Sequence, residues 1–315
     1  MVDATAGAAR GTARAAGLLE KPLLVVTGKG GAGKSTVAAA VGLVAARRGR
    51  RTIIAEVARR DDVSRVLGGT GVHEDELAPG LHHISIDPEE AMQEYLADQL
   101  PSRALAEVLI SSRGVNYFAA ATPGLRELLT IGKAWELAQE DRRTPGAEPY
   151  DLVVLDAPAT GHGVAVLSAP RTFADTALVG RIARQGRTID AMLSDPARTG
   201  VVAVARPEEM AVNETLEIED ALGEAVGLDV GLVVANGVLP DRFSAAEARA
   251  LEEAPSSPPV RAALIAHARA RAQRGQLARL RRHARAPVVT LPFLAAPDLD
   301  ALQIEPLVRA LERAL

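Results

Sequence analysis

The segment that most constrains this chain is glycine-rich and lies between an apolar strand and an apolar helix. Leu23–Thr27 has the pattern of a buried β-strand and Val37–Ala46 that of a helix. The residues between them are Gly28, Lys29, Gly30, Gly31, Ala32, Gly33, Lys34, Ser35 and Thr36. This is GxxxxGK[ST] in a strand–loop–helix context, which is typical of a phosphate-binding loop. It predicts phosphate contacts from backbone N–H groups and the helix N-terminus, Lys34 at the terminal phosphates and Ser35 on Mg²⁺.

Lysine usage supports this interpretation. Of 36 basic residues only four are lysines, Lys21, Lys29, Lys34 and Lys133, and two of these fall in the loop. Because arginine serves almost everywhere else, we infer that a compact ammonium group is required at these two positions.

Seven short apolar runs predict strands: Leu23–Thr27, Thr52–Val57, His82–Ile86, Leu152–Asp156, Val201–Ala205, Gly231–Ala235 and Val288–Leu291. Most are continuously apolar, as in a parallel sheet that is covered on both faces, and helical stretches separate them. We therefore expect an α/β fold, a doubly wound and mostly parallel sheet, in a single domain over residues 21–315. Residues 1–20 are rich in Ala and Gly and predict a disordered lead-in.

Two segments interrupt the alternation of strands and helices. Residues 89–145 and 171–200 carry helical patterns without a strand, so we predict a helical subdomain over one edge of the sheet. Their apolar residues either pack on one another or form a surface for a partner or client.

Composition excludes several classes of site. The chain has no cysteine, which removes disulfides, thiolate zinc sites, iron–sulfur ligation and a cysteine nucleophile. Its longest apolar run, Val37–Ala46, is half as long as a membrane span requires, and we find no signal-peptide pattern, so we expect a cytoplasmic protein.

A second element accompanies the loop. Leu152–Asp156 is an apolar strand that ends in a carboxylate. Beside a phosphate-binding loop, such an aspartate is suited to hold Mg²⁺ through water, and we predict Asp156 and Ser35 as the metal-binding residues.

These motifs together resemble a known family. With Lys29, the loop is similar to the deviant Walker A motif of the SIMIBI ATPases, and Asp156–His162 resembles the second switch of the ArsA/Get family. That family includes the arsenite-pump ATPase and the targeting factor for tail-anchored membrane proteins. The resemblance extends over residues 22–312 and implies a dimeric, ATP-dependent switch in which Lys29 reaches the partner's nucleotide. It also implies that Lys29 and Lys34 act on the γ-phosphate, with ATP and Mg²⁺ as cofactors; His162 either senses that phosphate or orders its loop.

Later segments carry the resemblance to the base. It implies that Glu208 and Asn236 contact the nucleotide, with Asn236 at the adenine edge, and that the loop at Pro292 and Phe293 covers the base. A side-chain amide offers the donor and acceptor that adenine requires. Without the resemblance, Asn236 is a turn former after a strand, and Glu208 opens a helix after a proline.

The first switch departs from the family pattern. The family ends its second strand in Asp-Pro-Ala, whose carboxylate positions water, but ungapped counting puts Ala58 at that position. Glu56 is our predicted catalytic substitute, and Asp61 is the other candidate. Loss of this carboxylate costs about 10²–10⁴ in rate while leaving phosphate binding largely intact, so binding is a firmer expectation than hydrolysis.

The expected partners follow from these features. We expect a homodimer or a heterodimer with a paralogous ATPase, and an unidentified protein client. The absence of cysteine argues against arsenite and against a zinc-bridged dimer. An alternative is a ParA/MinD-like positioning ATPase that binds DNA or a membrane through Arg261–Arg285. That stretch contains eight arginines, and no acidic residue lies between Glu253 and Asp298, but it has no aromatic residues for base stacking, so a solvated basic face is favoured over nucleic acid.

Overall fold

The fold is built on one mixed sheet. The computed structural model describes residues 15, 17–57, 61–69, 74–99, 124–144, 146–158, 162–176, 181–296 and 298–315. In these residues the strands are β1 (Leu23–Gly28), β2 (Thr52–Val57), β3 (Asp75–Ala78), β4 (Leu81–Ile86), β5 (Leu152–Asp156), β6 (Thr199–Ala205), β7 (Leu232–Val238) and β8 (Val288–Pro292). The sheet order is β3-β4-β2-β5-β1-β6-β7-β8. Every neighbouring pair is parallel except β3 with β4. The predicted α/β class and all seven predicted strands are confirmed.

Helices cover both faces of this sheet. They are α1 (Lys34–Arg47), α2 (Asp62–Leu67), α3 (Pro88–Gln99), α4 (Leu125–Leu137), α5 (His162–Thr176), α6 (Arg181–Leu193), α7 (Glu209–Ala225), α8 (Ala245–Glu253), α9 (Pro258–His283) and α10 (Glu305–Glu312). Among these described helices, none is long and apolar enough to cross a membrane.

Alternate strand residues feed two separate cores. Val26, Ile54 and Val154 pack with α1 and α10 on one face of the sheet. Val25 and Val153 pack on the other face, where α4, α5, α6, α7 and α9 contribute apolar residues. Because both faces are covered, the strands are apolar throughout, which is the pattern that the sequence presents.

Two details differ from the sequence expectations, and a third expectation lies partly outside the described residues. Leu18 and Leu19, inside the predicted disordered lead-in, are fully buried against the α1 face, so the ordered domain begins before residue 21. The edge strand β3 was not predicted, because Asp75–Ala78 is short, partly exposed and carries two acidic residues. The insertions contain α3, α4 and α6, but residues 100–123 of the first lie outside the described part of the chain.

A buried charge network joins the first insertion to the sheet. The Arg142 guanidinium, 1% exposed, lies 2.8 Å from a Glu74 oxygen and 3.1 Å from a Glu136 oxygen. The Tyr150 hydroxyl donates to the other oxygen of Glu74 at 2.8 Å. Burial, followed by this contact with Glu74, raises the pKa of Tyr150 to about 12. The network therefore ties the end of α4 to the start of β5 and the edge of the sheet.

Candidate functional site

The glycine-rich loop contains backbone conformations that favour glycine. Gly31 and Gly33 have positive φ values of 77° and 88°, and Gly33 is the N-terminal cap of α1. At Gly28 a side chain would collide with the carbonyl of Val204 on β6. Since L-residues rarely adopt these conformations, the loop depends on glycine at these points. The first turn of α1 contains no acidic residue, so its N–H groups and helix dipole favour an anion there.

The two predicted metal-binding residues are in contact. Ser35 Oγ donates to Asp156 Oδ2 at 2.5 Å, across 121 residues of sequence. Asp156 is the last residue of β5, which lies beside β1 with Val26 as its register partner. Because the carboxyl ends of parallel strands meet at one edge of the sheet, the topology brings this carboxylate to the start of α1.

The two loop lysines have separate environments. Lys34 is 6% exposed, and its ammonium lies 3.4 Å from the carbonyl oxygen of Lys29. The ammonium of Lys29 itself forms an ion pair with Glu214, in the second turn of α7. The sequence therefore located both lysines in the loop but did not predict the acidic partner of Lys29.

Asn236 also reaches the loop. This residue lies near the end of β7, and its Nδ2 donates to the carbonyl of Ala32 at 2.9 Å. A side chain at Gly33 would collide with the same amide. The predicted base-reading residue is therefore packed on the phosphate loop itself.

A cleft of about 780 Å³ opens beside the loop. Lys34, Ser35 and Thr36 line it from α1, Asp62 and Arg65 from α2, and Asp298 and Asp300 from the segment after β8. Its volume lies within the range of about 300–1,000 Å³ that is typical of small-ligand sites. The residues contributed by α2 and by positions 298–303 were not predicted, because they belong to no contiguous motif.

Three further predicted contact residues lie apart from this lining. Phe293 is 48% exposed and lines a second cavity of about 230 Å³ with Phe243 and His267. Pro292 is the last residue of β8. Glu208 is the N-terminal cap residue of α7, and its carboxylate lies 2.9 Å from Arg206. Their predicted contacts with a nucleotide stay predictions.

Glu56, the predicted catalytic carboxylate, is enclosed. Its side chain is 0% exposed, and Oε2 lies 2.8 Å from His83 Nε2. The same oxygen accepts a hydrogen bond from the backbone N–H of Val63, in the first turn of α2, at 3.0 Å. Asp61, the other candidate, is exposed and paired with Arg65 at 2.6 Å. Ala58 and the side chain of His162 lie outside the described residues.

Seven of the eight arginines in the arginine-rich stretch lie on α9, and Arg285 follows the end of this helix. Seven of the eight arginines are exposed, and two of them pair with nearby carboxylates, Arg274 with Asp241 and Arg285 with Asp220. The inner face of the helix is buried through residues that include Leu277 and Leu280. This arrangement agrees with the solvated basic face that the sequence favours.

Comparison with known proteins agrees with the site. Residues 21–185 and 176–254 match the family described as anion-transporting ATPase, ArsA type. The chain is 31% identical over 254 residues to the ATPase BagA of Mycobacterium tuberculosis, and the alignment covers 77% of this chain and 73% of BagA. It is 29% identical over 240 residues to an arsenical pump-driving ATPase of Escherichia coli, and the alignment covers 70% of this chain and 40% of that ATPase. The phosphate loop lies between a strand and a helix, its serine contacts a carboxylate, and the family match extends over most of the chain. The protein therefore belongs to the ArsA family of anion-transporting ATPases.

Proposed function

We propose that this chain binds ATP with Mg²⁺ at the glycine-rich loop, hydrolyses it, and works as a dimeric molecular switch. The observation that carries the proposal is the contact of Ser35 with Asp156 beside a buried Lys34. It brings a hydroxyl, a carboxylate and an ammonium group to the N-terminus of α1, where a helix binds phosphate.

The donor set fits magnesium. Mg²⁺ is bound by oxygen atoms and usually keeps several waters, with one or two carboxylates and substrate phosphates as its other ligands. Ser35 and Asp156 supply a hydroxyl and a carboxylate that already touch. When bound, Mg²⁺ supplies neutralisation of the triphosphate charge.

The residues of the chain divide the remaining work. Backbone N–H groups of the loop bind phosphate oxygens, and Lys34 holds the terminal phosphates by charge. Asn236 donates one of its two amide hydrogens to Ala32, which leaves its second N–H and its carbonyl oxygen for the adenine edge. Lys29 is the second ammonium that acts on the γ-phosphate.

Helix α5 couples the site to the helical insertions. It begins six residues after Asp156, and it packs against α4 and α6. A shift of the Asp156 segment with nucleotide state would therefore move α5 and the helices on it. We propose that these helices contact the client or partner, and that the client is not arsenite, because the chain has no thiolate.

Binding is tested by calorimetry with Mg-ATP. The wild type should release heat, and Lys34→Ala should abolish it. Lys21→Ala is a control, because Lys21 contacts the carbonyl of Pro196 rather than the phosphate loop. Binding that Lys34→Ala leaves unchanged would refute the proposed site.

Turnover and assembly need separate measurements. We expect Asp156→Asn to bind Mg-ATP weakly and to turn it over slowly.

Because Ala58 occupies the position of the family's catalytic aspartate, we propose a heterodimer with a paralogue that retains the carboxylate. Normal turnover by the purified chain alone, abolished by Glu56→Gln, would remove the need for this partner. Turnover that appears only after the paralogue is added would support it, with light scattering reporting the assembly. We propose the cytoplasm as its compartment.

A further inference from the structure

Glu214 holds the second loop lysine away from the cleft. Lys29 follows β1, whereas Glu214 lies on α7, 185 residues later, on the opposite side of the sheet from α1. The cleft is lined by Lys34, Ser35 and Thr36, while the ammonium of Lys29 is bonded to α7. We infer that Glu214 is a positioning residue that holds Lys29 in the nucleotide-free chain, so that the γ-phosphate must compete for it. This inference rests on the proposed function.

The ion pair is suited to exchange. The side chains of Lys29 and Glu214 are 32% and 27% exposed, so water can solvate both groups when they separate. Partly exposed ion pairs contribute little to stability, which keeps release easy. The backbone at Glu214 is held in place, because Val212, Ile218 and Leu222 of α7 are buried in the core. We therefore expect the lysine to leave the carboxylate when the pair separates.

A nucleotide would have to supply a better anion than Glu214. The γ-phosphate of ATP carries more charge than one carboxylate, whereas ADP has no γ-phosphate. Release of Lys29 should therefore depend on the third phosphate, whether the lysine turns to its own nucleotide or to that of a second copy. Glu214 should therefore weaken the binding of Mg-ATP and leave the binding of Mg-ADP unchanged.

The test compares Mg-ATP and Mg-ADP affinities by calorimetry. In Glu214→Gln, Mg-ATP should bind about two- to fivefold more tightly than to the wild type, the fold-change that corresponds to a partly exposed ion pair. Mg-ADP affinity should stay constant. Glu217→Gln is a matched control, because it removes one negative charge from an exposed position on the same helix. In a Lys29→Met background, Glu214→Gln should have no further effect.

Each result decides between distinct conclusions. A wild type that binds no Mg-ATP would refute the proposed function and this inference with it. A wild type that binds Mg-ATP, with the same ratio of ATP to ADP affinity in Glu214→Gln, would refute only the role of Glu214. The same outcome follows if the gain persists in the Lys29→Met background, because Glu214 would then act through another group.

The contact can also be observed without nucleotide. The chain has only four lysines, so isotope-labelled lysine ammonium signals should be separable by NMR, with Lys29→Arg to assign one of them. Glu214→Gln should shift the Lys29 signal, and Glu217→Gln should not. An unshifted Lys29 signal in Glu214→Gln would overturn the inference.

Discussion

Replacement of Glu56 should affect folding more than chemistry. Its Oε2 accepts two hydrogen bonds, from Val63 N–H at 3.0 Å and from His83 Nε2 at 2.8 Å, and both Glu56 and His83 are 0% exposed. Glu56→Leu keeps a similar volume but leaves both partners buried without an acceptor. Each unsatisfied buried group costs about 1–3 kcal/mol, so we expect a loss of about 2–6 kcal/mol in the free energy of unfolding. In Glu56→Gln the amide oxygen can replace Oε2 and keep both hydrogen bonds, but the NH₂ group replaces Oε1, a buried atom for which the described residues offer no hydrogen-bond partner. One unsatisfied buried group costs about 1–3 kcal/mol, which is half of the loss expected for Glu56→Leu.

The assay is urea unfolding followed by circular dichroism. We expect a lower midpoint at constant slope for Glu56→Leu, with Glu56→Gln in between. Glu76→Gln is the control, because among the described residues Glu76 accepts one backbone hydrogen bond, from Gly80, at an exposed position. It should shift the midpoint little.

The opposite result would restore a catalytic role. If Glu56→Gln unfolds at the wild-type urea concentration but turns ATP over more slowly at unchanged Mg-ATP affinity, Glu56 acts in the reaction. If instead turnover stays constant while the unfolding midpoint falls, Glu56 serves to attach the N-terminus of α2, which lines the cleft, to the sheet.

Three further changes test the site and its surroundings. Gly33→Ala should weaken Mg-ATP binding about tenfold in calorimetry through backbone strain and collision with Asn236, whereas Gly49→Ala, at a similar φ of 79° in open space, should not alter binding. Asp156→Asn should remove the Mg²⁺ dependence of ATP binding, which titration with and without EDTA measures. Tyr150 has a pKa raised to about 12, so its contribution to stability is fully present below about pH 10 and is lost as pH rises through about 12; absorbance at 295 nm should follow that ionisation.

The strands were predictable because burial on both faces leaves a strong local signal. Six of the eight lie inside the sheet, where apolar residues are needed on both sides, and a run such as Leu152–Asp156 marks both the strand and its carboxyl end. β3 gives no such signal, since an antiparallel edge strand pairs through its backbone on one side only and tolerates the acidic residues of Asp75–Ala78. Leu18 and Leu19 were missed because the Ala- and Gly-rich composition of the lead-in masks two residues that fill the α1 face.

The site was predictable where chemistry is contiguous in sequence. The loop lies on one stretch of chain, and parallel topology alone brings the end of β5 to it, so the meeting of Ser35 with Asp156 follows from order and direction of strands. The pairing of Lys29 with Glu214 depends instead on how α7 rotates on the sheet. No spacing within α7 identifies which of its carboxylates points towards the loop.

Glu56 and Asp156 show why two similar carboxylates differ. They are register partners on neighbouring parallel strands. Ile54 and Val154, each two residues earlier on the same strand, pack in the core on the α1 face, so the side chains of Glu56 and Asp156 point to that face as well. Asp156 ends its strand and meets the hydroxyl of Ser35. Glu56 has one more strand residue after it, and the first turn of α2 then folds back over its carboxylate. The connection that leaves each strand, rather than the strand itself, therefore determines which acid contacts the phosphate loop and which one attaches α2 to the sheet.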